Sequence, residues 1–447
     1  MHQVSLPVEI LSEIIQYLDD QLDKSTIHSL SRCCLLLVPL CQRRIFHTIV
    51  LDSSSKEIHA RMTRLAENIT WSPHIATYVR SFEICLWNGR THIQQHPKFY
   101  QLLSKITSSL THIQTLKTYG TTIRPKDVES YLDWSLITGS LDPDKQDSGI
   151  AVEKLLVGEH LRHLETRGIL KFPFTLFLER CRVVDSLTDN RPHTIAICAV
   201  EMFRNPSPSN AISSVRSYTL SRVGCTDRRM SSAWEENPPK PLPLNFTNMT
   251  SLTVTWNADR DIAETNKLIL LGRSIEILSI SGECHICFHE YALMAVKVQP
   301  QFEFFGLAKF FSSTARQTIK SLHLQNIPRA RPNFDHACSA LSMQLEKTDI
   351  RGYQSLEQLS ITLYMGSKSV RLDRGELERL DVAISCNFAS LKRVTVNFFI
   401  YQQHSGSYPS HWELGVDEGY RGRMATLCTM YGSDLVLIHK NEIQECD

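Results

Sequence analysis

The chain of 447 residues lacks a long apolar run and lacks a charge imbalance. Its longest apolar stretch, residues 33–41, contains Pro39 and is far too short to cross a bilayer. Lys and Arg total 48 and Asp and Glu total 47, so the formal net charge is +1. A protein whose net charge is close to zero has no overall electrostatic attraction for nucleic acid or an anionic membrane. We therefore expect neither of them as a partner.

The sequence also lacks the motifs of common catalytic and cofactor sites. It contains no phosphate-binding loop, no dinucleotide glycine motif, no His-Glu-x-x-His and no Gly-x-Ser-x-Gly. We expect a protein that is not an enzyme and uses no cofactor. The exception is Cys284-His285-Ile286-Cys287 with His289, whose side chains are of zinc-ligand types. No second ligand pair is nearby, so a loop without metal is favoured, and an enzyme with its site there is the third hypothesis.

Disulfide-scaffold spacing is missing as well, although the chain contains 13 cysteines. The cysteines occur singly or as the pair Cys33-Cys34, and a chain of this length does not need disulfides to be stable. The first ten residues show no basic region followed by an apolar one, so we expect no secretion signal. These features predict reduced, mostly buried thiols in a cytoplasmic or nuclear protein.

The first fifty residues are rich in Leu and Ile but are interrupted by Pro and Asp. Ser5 is a predicted cap for a first helix, Ser25 for a second, and Pro39 is predicted to open a third. In the first helix, helical spacing predicts one apolar face made of Ile10, Leu11, Ile14, Ile15 and Leu18. Three short helices cannot bury this much apolar surface among themselves. The segment is therefore predicted to dock on a partner.

Several stretches of this segment carry a family resemblance. Leu6-Pro7-x-Glu9-Ile10-Leu11, with Ile14-Ile15-x-Tyr17-Leu18, resembles the first helix of an F-box. Residues 39–49 and 72–82 resemble the mushroom-type fungal F-box proteins in particular. The resemblance implies a substrate-recognition subunit of a Skp–cullin–F-box ubiquitin ligase. The residues that would contact the Skp adaptor, and through it the cullin, are Leu6, Pro7, Ile10, Leu11, Ile14, Leu18, Leu36, Leu37 and Leu40. Arg32 and Leu37 depart from the usual pattern, so a non-ligase interaction scaffold is the alternative.

A different pattern, apolar-x-x-apolar-x-apolar, recurs through the rest of the chain and predicts strands with one buried face. The residue between the last two apolar positions is polar in every copy, and two copies end in Thr. The copies are Val79-Phe82-Ile84, Ile113-Leu116-Thr118, Leu161-Leu164-Thr166, Val215-Tyr218-Leu220, Met249-Leu252-Val254, Ile275-Leu278-Ile280, Ile319-Leu322-Leu324, Leu356-Leu359-Ile361 and Leu391-Val394-Val396.

Stretches with helical spacing separate these copies, at residues 99–110, 303–318 and 335–346. Alternating strands and helices predict a parallel sheet with helices on one face, as in leucine-rich repeats. We therefore expect an α/β protein: a three-helix F-box at 1–51, a linker helix at 52–77, and an irregular leucine-rich-repeat-like solenoid with a curved parallel sheet at 78–447. Inserted loops are predicted near 138–150 and 205–245, and a last strand at 434–438. A single α/β domain with conventional strand order is the alternative.

The polar positions inside the copies are the predicted substrate face of the sheet. They are mixed in sign and contain no Arg cluster of the kind that recognises phosphate. The candidate substrate-contacting residues are Glu83, Lys117, Glu165, Thr253, His323 and Thr395. The sequence leaves open whether each binds a substrate or is a solvated strand position.

Overall fold

Two groups of secondary-structure elements make up the chain in this computed structural model. The structure describes residues 7–18, 23–53, 55, 57–87, 97–121, 132–134, 143–167, 169–170, 172–181, 183–189, 213–220, 244–256, 265–266, 268–272, 274–283, 307, 310, 318–327, 337–347, 355–366, 374–388, 391–402 and 435–443. The first compact unit comprises residues 1–191, 206–215 and 242–244. The second comprises residues 192–205, 216–241 and 245–447.

The first unit begins with three helices and continues with alternating strands and helices. Its helices are α1 (Val8–Tyr17), α2 (Lys24–Cys33), α3 (Leu37–Ile45), α4 (Ile58–Trp71), α5 (His74–Tyr78), α6 (Pro97–Ser109), α7 (Pro143–Leu156) and α8 (Phe174–Arg180). Its strands are β1 (Thr48–Asp52), β2 (Ser81–Trp87), β3 (Thr115–Thr121), β4 (Leu132–Asp133), β5 (His163–Arg167), β6 (Ile169–Leu170) and β7 (Val183–Asp189).

Five of these strands form a parallel sheet in the order β1-β2-β3-β5-β7, and β4 pairs with β6. The register aligns one apolar residue from each of the five strands, and all five side chains are buried: Ile49, Phe82, Leu116, Leu164 and Leu187. Helix α6 packs against α4 and α7. The side chains that alternate with the buried row point to the opposite face of the sheet.

The second unit continues the same pattern. Its elements are β8 (Ser213–Leu220), which it contains from Arg216 onward, β9 (Leu244–Asn245), of which it contains Asn245, β10 (Ser251–Trp256), β11 (Ile277–Glu283), β12 (Ser321–Ile327), α9 (Ala337–Glu346), β13 (Gln358–Gly366), α10 (Arg374–Asn387), β14 (Arg393–Gln402) and β15 (Leu435–Ile443). The parallel order is β8-β10-β11-β12-β13-β14-β15, and β9 pairs with β8.

The predicted α/β class with parallel strands is confirmed, and each of the nine predicted copies lies at a strand. The helix predicted at 99–110 corresponds to α6, the one at 335–346 to α9, and the last strand to β15. Among described residues, no helix is both long and apolar enough to cross a membrane.

Three details of the sequence analysis were wrong. Residues 143–150 form the first turns of α7 rather than a loop, because Ala151, Val152 and Leu155 bury one side of that helix. Lys24 begins α2, so Ser25 lies inside the helix and not at its cap. Leu37 begins α3, two residues before Pro39.

Other predictions fall largely or wholly on residues outside the described ranges. They are the loop between 205 and 245, apart from β8 and β9, most of the helix at 303–318, and the Cys284–His289 cluster.

Candidate partner-binding surfaces

The three N-terminal helices share a small apolar core. Ile15 of α1, Ile27 of α2, and Leu37 and Cys41 of α3 are buried together. Five partly buried side chains pack against them: Leu11, Leu18, Leu30, Leu40 and Ile45. Burial raises the pKa of the Cys41 thiol, so this side chain acts as a small apolar group.

The predicted adaptor-contact residues divide into two groups. Leu37 is buried in this core, and Leu11, Leu18 and Leu40 pack against it. Pro7, Ile10, Ile14 and Leu36 are exposed, whereas Leu6 lies outside the described residues. The exposed group can meet a partner without disturbing the helices.

Three further exposed apolar side chains of the N-terminal helices and their connections are not among the predicted contacts. Tyr17 is 88% exposed and Leu35 is 89% exposed, and Val8 is also exposed. Tyr17 follows Ile10 and Ile14 at the helical spacing i, i+4, i+7, so periodicity could have identified it. Helix α1 therefore has two apolar sides: one packs against the core of the three helices, and the other is exposed.

Contacts made by α3 hold the helices in place. The Arg44 guanidinium donates from Nη2 and Nε to the Leu18 carbonyl at 2.8 and 3.3 Å, which satisfies an acceptor that the end of α1 leaves open. Arg43 lies over the Tyr78 ring of α5, with its Cζ 5.7 Å from the centroid. Strand β1 follows α3 after two residues. The N-terminal helices are thus joined directly to the sheet of the first unit.

The predicted substrate-face residues of the first unit lie side by side. Glu83, Lys117 and Glu165 are aligned on β2, β3 and β5. Lys117 Nζ is 4.0 Å from Glu165 Oε2. Lys117 and Glu165 also line a shallow depression of about 220 Å³, together with Thr115, Leu164, His163 and Ser186. The sheet therefore presents a polar, mixed-charge surface here.

Cys85 lies two residues after Glu83 on the same strand. Its Sγ is 3.8 Å from Glu83 Oε1. Burial, followed by the charges of Glu83 and Asp52, raises the pKa of this thiol to about 12. A thiol with so high a pKa stays protonated at neutral pH and is a poor nucleophile.

The predicted residues of the second unit also share one row. Thr253, His323 and Thr395 are aligned through the intervening Ser279 and Ser360. Ser321 Oγ and His323 Nε2 are 3.0 Å apart, and burial lowers the pKa of His323. The middle of this row is therefore uncharged at neutral pH, and the row offers hydroxyl and imidazole hydrogen-bonding groups.

The expectation of mostly buried thiols was wrong for the cysteines that the structure describes. Cys33, Cys34 and Cys386 are exposed, Cys85 is intermediate, and Cys41 and Cys181 are buried. Cys33 ends α2 and Cys34 follows it, beyond the short core of the three helices.

The described residues include no group of three or more side chains suited to hold a metal ion. Neither protein-family models nor curated proteins match this chain.

Proposed function

We propose that this chain is an F-box substrate-recognition subunit of a Skp–cullin–F-box ubiquitin ligase, acting in the cytoplasm or nucleus. The observation that carries the proposal is the exposed apolar side of the N-terminal helices. Ile10 and Ile14 are 42% and 47% exposed although they neighbour the buried Ile15. Exposed apolar side chains concentrated in one small helical unit are typical of a protein-binding surface. Together with the F-box motif, they favour the Skp adaptor as the partner.

The rest of the chain is proposed to be an irregular leucine-rich-repeat-like solenoid. The aligned copies support this, because each contributes one strand to a parallel arrangement with an alternating buried row. The polar face of the strands, with Glu83, Lys117, Glu165, Thr253, His323 and Thr395, would hold the substrate. Ubiquitin transfer belongs to other subunits, so this chain contributes proximity and no catalytic group.

Binding of purified Skp adaptor to the full chain tests the proposal. Ile14→Asp places a charge on the exposed side of α1 and should weaken binding by about 2–4 kcal/mol if this residue is central to the interface. Val382→Asp is the matched control, because Val382 is 54% exposed on α10 of the second unit. Leu11→Asp is a poorer test, since Leu11 packs against the core of the helices.

Two outcomes would contradict the proposal. The wild-type chain would not bind the adaptor, or Ile14→Asp would bind it as well as Val382→Asp does. The alternative, a non-ligase scaffold, predicts a different result. The adaptor would bind in the same Ile14-dependent way, but no cullin would co-purify with the chain from cells.

A further inference from the structure

The residues near the start of each strand form a row along one edge of the sheet. In the second unit, carbonyls of this row accept hydrogen bonds from the start of the next strand, and the Lys320 amide donates to the Glu276 carbonyl at 2.9 Å. From Glu276 through Lys320 and Glu357 to Lys392, the side chains of this row alternate in charge. Lys320 Nζ is 2.8 Å from Glu276 Oε1, and Lys392 Nζ is 2.9 Å from Glu357 Oε1. This row neutralises itself.

The equivalent row of the first unit is built from the same backbone contacts but carries different charges. Its members are His47, Arg80, Gln114 and Arg162, joined by amide-to-carbonyl hydrogen bonds of 2.7–2.9 Å. A carboxylate enters this row only at its far end, with Asp185. The alternation of positive and negative side chains that balances the charge of this row in the second unit is therefore missing beside β2 and β3.

Cationic and aromatic side chains surround Arg80 at this edge. Arg43 lies over Tyr78, and the His74 ring meets the Tyr78 ring edge-on at 5.6 Å. Arg80 Nη1 donates to the Thr77 carbonyl at 2.7 Å and to the His112 carbonyl at 3.4 Å. His112 stacks on His160 with their centroids 5.0 Å apart. We call this contiguous group the basic edge: Arg43, His74, Tyr78, Arg80, His112 and His160.

The charge of the basic edge is not compensated within the described residues. The contacts of Arg43 and Arg80 are an aromatic ring and backbone carbonyls, and neither guanidinium forms an ion pair with a described carboxylate. Arg43, His74 and His160 are exposed, and the other three are partly exposed. Glu159 precedes His160 in the chain, and Asp185 lies on β7. The structure thus leaves two guanidinium groups available to an external anion.

The aromatic rings of the basic edge indicate which class of anion fits. Tyr78 is covered by Arg43 and flanked by His74, while His112 and His160 cover each other. Base stacking of single-stranded nucleic acid needs open ring faces, and one face of the Tyr78 ring and one face of each stacked imidazole are already covered. Carboxylates need only the fixed N–H groups of arginine. The arrangement therefore favours carboxylates carried on a polypeptide.

We propose that the basic edge binds an acidic, Asp- or Glu-rich segment of a partner polypeptide. The basic edge shares no residue with the proposed adaptor contacts or with the exposed apolar side of α1. Ile14→Asp should leave it intact, so the two proposals can fail independently.

The proposal can be tested by fluorescence anisotropy. A labelled peptide of alternating Glu and Gly is titrated with the full chain at physiological ionic strength. Wild type should bind saturably. Arg43→Glu combined with His160→Glu should weaken binding about tenfold, because two contacts turn repulsive. Arg43→Gln should give an intermediate loss and guards against a folding defect. Lys105→Glu, which reverses the charge of an exposed residue on α6 by the same amount as Arg43→Glu alone, should change binding less than about twofold.

Three results would overturn the proposal. The wild-type chain does not bind the acidic peptide; Lys105→Glu weakens binding as much as the double variant; or an oligothymidylate of equal length binds more tightly than the peptide.

Discussion

The consecutive isoleucines of α1 have opposite environments and should respond oppositely to substitution. Ile15 is 4% exposed and lies in the core with Ile27, Leu37 and Cys41, whereas Ile14 is 47% exposed. Ile15→Ala removes three buried carbons and leaves a cavity, which costs about 2–5 kcal/mol. Ile14→Ala removes the same atoms from a half-exposed site and should cost about 0.5 kcal/mol or less.

Native-state hydrogen exchange, followed by mass spectrometry, resolves this difference within a large chain. The core of the three helices is small, so their opening should dominate exchange in residues 24–45. A loss of 2–5 kcal/mol should speed exchange there by at least about tenfold in Ile15→Ala, while strands β10–β14 stay unchanged. Equal acceleration by Ile14→Ala and Ile15→Ala, or by neither, would refute the division of α1 into a core side and a free side.

Two further predictions concern single side chains. Arg44→Met removes the two hydrogen bonds to the Leu18 carbonyl and should destabilise the end of α1 by about 1–3 kcal/mol. The measurement is amide hydrogen exchange in residues 14–18, which should become faster. Unchanged exchange there would contradict the role of Arg44 in holding the end of α1. Iodoacetamide at pH 8 should label the exposed Cys386 much faster than Cys85, because a pKa of about 12 leaves the Cys85 thiol protonated. Glu83→Gln removes a negative charge, should lower the pKa of Cys85 and should speed its labelling; slower labelling would show the opposite sign.

The strand positions were accessible to sequence analysis because alternation identifies a half-buried strand directly. Among the strands longer than two residues, two were not predicted, each for a local reason. In β1, Phe46-Ile49-Leu51 fits the pattern, but the position between Ile49 and Leu51 carries the apolar Val50 instead of a polar residue. The F-box resemblance also places this segment at the end of the docking helices. In β7, Val184 and Leu187 fit, but Asp189 occupies the third apolar position.

The division of α1 could not be predicted in the same way. Periodicity grouped Ile10 with Ile15 because both lie within one broad apolar face. Only the positions of α2 and α3 decide which part of that face is covered. The basic edge was also beyond sequence analysis, since Arg43, Arg80 and His160 are far apart in the chain and are linked only through the contacts of Tyr78 and His112 in the fold. The resemblance to F-box proteins remains the prediction on which the proposed function depends.

Hydrogen exchange of the full chain, measured with and without purified Skp adaptor, tests that function most directly. We expect the adaptor to slow exchange in α1 and at residues 34–37, where Ile10, Ile14, Leu35 and Leu36 are exposed. Strands β10–β14 should exchange at the same rate in both states. Unchanged exchange throughout α1 at saturating adaptor, or protection confined to the strands, would contradict the account.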